Sequence, residues 1–376
     1  MASLGAIVTV LSVLSSPITQ QVISYPTRLD LTSGLGNVKT GAVQSWAYDF
    51  DAGPRGVMNL VLSTVLTGFL QPIEKPIAPM DVACPTGTCT FPRFDSLGVC
   101  VKMANITHRL RVEEAEPNVD SWVIPMLMVN VTREYRVGLE EPCNMTSPST
   151  MAFRTCTLAP NVSYAFADDP DLMSTKIYSF PIIYSMFRPD TFANISDPGP
   201  VSWGAFEAFF HLCVQSFDVS VEDGKPTTRV AMESWATPAN NTNKPLSINC
   251  TQMDSQTALA CYAPEEDAAL HAGWIYLANP KKMNSMDQAD YFGASRQTLN
   301  QLVDPIHFSA EGAFMYDPTD GTDNGWGIGS GFVQMIEALY NDEGASLTKA
   351  RPLNPQLQMD RFHTILDNVA TSITNT

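Results

Sequence analysis

The most regular alternation of apolar and polar positions lies between Cys213 and Val221. There Phe217, Val219 and Val221 share one side of an extended chain, and Ser216, Asp218 and Ser220 the other. Asp223–Gly224 follows, a pair that accepts positive φ at a two-residue turn, and Thr227 to Trp235 reads as the returning strand of a hairpin. Ser121 to Val131 and Lys176 to Phe187 are rich in β-branched, aromatic and Met residues and predict further strands. Leu246 to Cys250 and Thr257 to Tyr262 predict another pair, which would bring Cys250 near Cys261.

Helical spacing frames this β-rich middle. In residues 54–70, Val57, Val61, Val65 and Leu66 recur at helical intervals, with so little charge that burial on more than one side is expected. Pro72, Pro76 and Pro79 then predict an extended link. Tyr291 to Val303 predicts a short helix ended by Asp304–Pro305. Phe332, Met335, Ile336, Leu339 and Tyr340 form one helical stripe. Phe362, Ile365, Leu366, Val369 and Ile373 form another, in a last helix from about Met359. That helix meets no Gly cap or stop signal, which reads as an element of a longer protein.

Residues 1–27 carry no charge, and Leu4 to Leu14 is nearly all apolar. A full membrane span takes about 20 apolar residues, so this run is too short to cross alone. A signal-peptide core would be preceded by basic residues, which are missing here. A buried helix of the globular part is a second reading. The third, the outer half of a membrane helix, is favoured, because Pro17 would end it and Thr19–Gln21 begin the polar side.

Charge removes one class of function. Acidic residues number 39 against 22 basic ones, a formal net charge of −17, and Lys281–Lys282 is the only Lys/Arg doublet. A phosphate backbone needs clustered Lys and Arg, so nucleic-acid binding is excluded. Cysteine and asparagine point to a compartment. The eight cysteines are Cys84, Cys89, Cys100, Cys143, Cys156, Cys213, Cys250 and Cys261, an even set that can pair completely. Seven Asn head Asn-x-Ser/Thr sequons: Asn105, Asn130, Asn144, Asn161, Asn194, Asn240 and Asn249. Roughly three would arise by chance. Glycans and disulfides are both made in the oxidising secretory lumen, so the two chemistries agree on an extracytoplasmic domain.

Candidate catalytic chemistry is sparse. Cys84, Cys89 and Cys100 could ligate zinc, but the second ligand pair is missing and disulfides are the better reading. Of the five His (His108, His211, His271, His307 and His363), no two share a metal-binding helical spacing. His211, beside Cys213 in an apolar run, reads as a packed core residue, and His363 as a solvated one. Asp317 to Asp323 lacks the ligand alternation of a calcium loop and reads as a surface turn. Gly325 to Gly331 fits no phosphate-loop spacing and reads as a flexible approach to a helix at Phe332. Glu265 to Asp267 reads as a solvated acidic loop. No G-x-S-x-G occurs. No catalytic residue, cofactor or metal is therefore assigned.

The run Cys84-Pro-Thr-Gly-Thr-Cys89-Thr-Phe-Pro, closing in Ser96-Leu-Gly-Val-Cys100, resembles the CPTGxCTWP…SLGVC signature of a fungal group of multi-spanning membrane proteins with a large domain of unknown function. Pro17 to Gln21, Cys213 to Phe217 and Asp367 to Thr374 are similar to it as well, so the resemblance covers nearly the whole chain. It implies membrane helices before the domain and another just after it. Relatives often carry one more Cys three residues after the position of Cys100 and another five before that of Cys213. Here those places are Met103 and Ala208. Loss of both leaves an even set, which suggests that they are partners in the relatives.

The expected fold class is α+β: a β-rich disulfide-bonded ectodomain with flanking helices, its N-terminal segment the remnant of a membrane helix. Residues 1–18 would be a partial transmembrane or signal-like helix, 19–80 a helical and extended lead-in, 81–285 the cysteine- and sequon-rich β domain, and 286–376 a helical part leading toward a membrane span outside this chain. The expected role is non-catalytic binding, sensing or surface contact, its protein or cell-wall ligand unknown. A hydrolase of an extracellular polymer and a structural subunit of a membrane complex are the alternatives.

Overall fold

The computed structural model describes residues 42–43, 45–46, 53–80, 82, 84, 87–115, 134–139, 151–156, 158, 162–185, 203–236, 274–279, 281, 291–316, 325–329 and 355–375. All fall in one unit, Gly41–Thr376. In chain order the elements are β1 (Ser45–Trp46), α1 (Gly53–Leu70), β2 (Cys89–Thr90), β3 (Phe94–Asn105), β4 (Leu110–Ala115), β5 (Glu134–Leu139), β6 (Met151–Thr155), α2 (Pro170–Ser174), β7 (Lys176–Ser185), β8 (Trp203–Glu222), β9 (Lys225–Ser234), β10 (Trp274–Ala278), β11 (Tyr291–Ser295), α3 (Arg296–Ala310), β12 (Gly312–Tyr316), β13 (Gly325–Gly329) and α4 (Pro355–Thr374). The class is α+β, with a largely antiparallel β framework. No described helix is long and apolar enough to cross a membrane.

β8 is the axis of the large sheet, which runs β13-β12-β6-β7-β8-β2, with β3 and β9 also on β8. Along one side, β7 pairs with its first half and β9 with its second. Along the other, β3 runs opposite Phe206 to Phe217. Asp223 at φ 50° and Gly224 at φ 74° make the predicted two-residue turn, with Glu222 opposite Lys225. Alternation is visible in sequence only toward that hairpin, because Trp203 to Val214 is buried at every position. A strand covered on both faces has no polar side to alternate.

On one face, α1, α3, α4, β10 and β11 contribute to a core with β3, β7 and β8 that includes Phe69, Leu97, Val99, Phe180, Phe206, Phe210, Phe362 and Val369. α1 and α4 approach closely at Gly68, where an added Cβ would stand 2.4 Å from Val369 Cα. Thr64 O accepts a hydrogen bond from Ser372 Oγ at 2.9 Å across the same contact. A second core forms from Ile106, Leu139, Leu158, Tyr164, Ile183, Trp203 and Ala205.

Three expectations are corrected. Tyr291 to Ser295 is a strand, and the helix begins at Arg296, where Ser295 Oγ accepts the Thr298 N–H at 3.0 Å. α3 then runs through Asp304–Pro305 instead of stopping there. An internal proline costs a helix about 3 kcal/mol, but Leu299 and Leu302 before it and Ile306 and Ala310 after it are all buried on one stripe. Tertiary packing therefore outweighs the local stop signal. Gly325 to Gly329 is a strand paired with β12, not a flexible approach to a helix: Trp326 and Ile328 alternate with glycines at the strand period. The last helix starts at Pro355, four residues before the expected Met359, and buries the expected face. Leu4 to Leu14, Ser121 to Val131, Leu246 to Cys250, Thr257 to Tyr262 and the stripe from Phe332 to Tyr340 lie outside the described residues.

Candidate functional site

Cys84 and Cys89 form one disulfide and Cys100 and Cys213 another, so these thiols are not zinc ligands. Gly87, inside the first loop, takes φ 76° and accepts the Gly224 N–H at 2.8 Å, which ties the loop to the tip of the β8–β9 hairpin. The second disulfide joins β3 to β8, with Cys100 opposite His211 and Cys213 opposite Gly98. Cys156 is also disulfide-bonded. Cys143, Cys250 and Cys261 lie outside the described residues. So do six of the sequon asparagines: Asn130, Asn144, Asn161, Asn194, Asn240 and Asn249. Asn105 is exposed at the end of β3, its Oδ1 accepting the Thr107 N–H at 2.9 Å. Met103 and Ala208 are directly opposite one another across β3 and β8.

The chemistry-bearing side chains that converge lie along β8, in its buried half. Glu207 is fully buried, and its Oε2 accepts the backbone N–H groups of Tyr164 and Ala165, both at 2.8 Å. Oε1 has no partner. Burial pushes the Glu207 carboxyl above its ordinary value. The Ser163 hydrogen bond, those two backbone N–H groups and the charge of Lys176 act against the rise. Lys176 donates to Val162 O at 2.7 Å and lies 5.6 Å from the Phe209 ring centroid. Burial brings its ammonium down to about 8, partly opposed by Glu207. Glu207 from β8 and Lys176 from the start of β7 thus both hold the backbone of residues 162–165 against the sheet.

His211 is fully buried, opposite Lys176 on one neighbour and Cys100 on the other. Its Nδ1 is 3.1 Å from Leu212 O, which can only accept, so Nδ1 carries the proton. Nε2 is left as a buried lone pair with no partner. The Trp235 ring meets the imidazole edge-on at 5.6 Å between centroids. Trp235 Nε1 donates to Asp169 Oδ2 at 3.2 Å, and Lys102 Nζ stands 3.8 Å from the Trp235 ring centroid. Asp169 also caps α2 through the Leu172 N–H at 2.9 Å. Burial pushes the imidazole down to about 4; Lys102 pushes the same way, while the Leu212 hydrogen bond and Asp169 oppose it.

A second chain of polar groups runs outward from the core. Tyr178 Oη lies 3.0 Å from His307 Nδ1, and His307 Nε2 lies 2.9 Å from Glu311 Oε2. An acid, an imidazole and a hydroxyl in line resemble a proton relay, but Tyr178 is 4 % exposed, so the hydroxyl ends in the core rather than where a substrate could arrive. His108 is exposed, and His363 lies on the surface of α4, 3.5 Å from Asp367. His271, Glu265 to Asp267 and Asp317 to Asp323 lie outside the described residues. Among the described residues no group of three His, Cys, Asp or Glu could hold a metal ion.

Sequence reading found His211 as a core residue but missed Glu207 and Lys176. The available signal was a single carboxylate inside Trp203-Gly-Ala-Phe-Glu-Ala-Phe-Phe-His211, an otherwise apolar and aromatic run. Comparison with protein-family models, with curated proteins and with solved structures finds no match.

Proposed function

We propose that this chain is the extracytoplasmic domain of a membrane-anchored glycoprotein that works by binding or sensing rather than by catalysis. The observation that carries the reading is the Cys100–Cys213 disulfide, buried between β3 and β8. Reducing compartments keep such thiols apart, whereas the secretory lumen couples them. The exposed Asn105 sequon supports the same compartment. The apolar run Leu4 to Leu14 supports membrane attachment. A non-catalytic role is supported by how the buried carboxylate is used: Glu207 is fully buried and hydrogen-bonds two backbone N–H groups of its own fold.

Intact-mass measurement on the chain made in a secretory host tests the reading. Alkylation without reduction should leave the cysteines unmodified, and enzymatic deglycosylation should lower the mass by whole glycans. Eight alkylated thiols and an unchanged mass after deglycosylation would defeat the proposal.

A further inference from the structure

We infer that His211 makes the cover formed by Trp235 and residues 162–175 acid-releasable: one proton taken up at Nε2 drives this cover off the sheet. The proposal goes beyond the extracytoplasmic reading and does not depend on it.

The device is built from geometry. Leu212 O fixes the only proton of the neutral imidazole on Nδ1. Nε2 is enclosed and faces no acceptor. A proton added there creates a buried cation with an unsatisfied N–H, which a closed site disfavours strongly. The charged groups around it are unequal. From β3 comes Lys102 and from β7 Lys176, both cations. From the cover comes Asp169, whose carboxylate accepts from Trp235 Nε1 and the Leu172 N–H. On β8 itself the nearest carboxyl is Glu207, which accepts from the Tyr164 and Ala165 N–H groups. Moving Trp235 and the Asp169 turn aside admits water to Nε2 and removes the conflict.

The sign follows from linkage. In the closed state the imidazole titrates at about 4, and open in water at its ordinary value of 6.5. Acid therefore favours opening across that window, by about 30-fold at pH 5 relative to pH 7.5. Glu207 acts in the opposite sense, because burial raises its carboxyl, so protonation favours the closed form. Glu207→Gln should accordingly make the acid response steeper.

Native-state hydrogen exchange of the full chain reads the opening. The Tyr164, Ala165, Leu172 and Met173 amides should lose protection between pH 7.5 and 5, by less than 30-fold in the wild type and by about 30-fold in Glu207→Gln, after correction for the intrinsic pH dependence of exchange. Amides of β3 in the sheet should not follow them. His211→Asn, which keeps a donor for Leu212 O but cannot take a proton, should abolish the response. Lys102→Met, a change at a partly exposed site, should weaken it. NMR titration of the His211 ring in the wild type needs no variant, and its native midpoint should lie well below 6.5. A midpoint at or above 6.5, or an unchanged pH response in His211→Asn, overturns the proposal.

Discussion

Gly68→Ala should destabilise the protein, although alanine is the better helix former. Helix propensity alone predicts a gain of about 1 kcal/mol. The structure predicts the reverse. A Cβ on Gly68 would lie 2.4 Å from Val369 Cα, 2.8 Å from Val369 N and 2.9 Å from Asn368 O, all backbone atoms that no rotamer change can move. Ordinary contact begins at 3.4 Å, so α1 and α4 must part by roughly 1 Å. A gap of that size forfeits a quarter to a half of each dispersion well across the interface that Val61, Val65 and Phe69 share with Phe362, Ile365 and Val369. Overpacking costs about 1–3 kcal/mol, at the upper end where backbone must move; set against the propensity gain of about 1 kcal/mol, the net loss is about 2 kcal/mol. Urea unfolding followed by fluorescence, with the disulfides intact, should show the midpoint falling at constant slope. Thr67→Ala, one residue away and exposed, is the control and should change stability little. A Gly68→Ala midpoint equal to or above wild type would refute the close helix contact.

Under native conditions dithiothreitol should open Cys84–Cys89 before Cys100–Cys213, because the first pair is partly exposed and the second buried. Peptide mapping after thiol trapping gives the order. Removing Cys100–Cys213, which spans a sequence separation of 113, should cost about 4–5 kcal/mol, against about 2 for the separation of 5 at Cys84–Cys89. Met103→Cys with Ala208→Cys should form a further bridge on secretion, since the two positions face each other across the sheet. Two free thiols in the folded variant would argue against both that register and the proposed pairing in relatives. Glu207→Ala leaves the Tyr164 and Ala165 N–H groups without their acceptor and should lose about 3 kcal/mol. Glu207→Gln keeps an acceptor oxygen and should lose less in thermal unfolding. Glu207 contributes stability that is lost as pH rises from 4.5 through its raised value, opposing the gain from His211 between 4 and 6.5, so Glu207→Gln should steepen the rise of stability with pH across that window.

The parts of the fold that were legible in sequence are those with one wet face. The hairpin around Asp223–Gly224 alternates because β9 and the end of β8 keep polar sides, and α4 shows its stripe because the opposite side meets water. The first half of β8 was not legible: both faces are covered, and a continuous apolar run carries no period to distinguish strand from helix. Pro305 misled for a different reason, since a local stop signal is outweighed by contacts that arrive from distant segments. The disulfide chemistry was readable from residue types, but Cys100 with Cys213 needed the β3–β8 register to be chosen. Glu207 and Lys176 stayed hidden because a residue's burial depends on what folds over it. Residues 162–176 cover that part of β8 through backbone hydrogen bonds that leave no mark in the sequence.

The outer border of β3, away from β8, is closed by other parts of the chain. Leu97 N–H gives its hydrogen bond to Val43 O at 2.7 Å. Two residues on, Val99 N–H is taken by Thr374 Oγ1 at 2.9 Å, whose own proton is divided between Ala370 O at 2.9 Å and Val99 O at 3.3 Å. A hydroxyl at the end of a helix thus occupies the position where another molecule's strand would otherwise zip on. Thr374→Val would keep the helix and its shape but leave both peptide groups of Val99 without this partner. A lower urea midpoint, from a Val99 N–H left without its acceptor under a methyl that still covers it, is the expected result of exchanging a single oxygen atom for carbon.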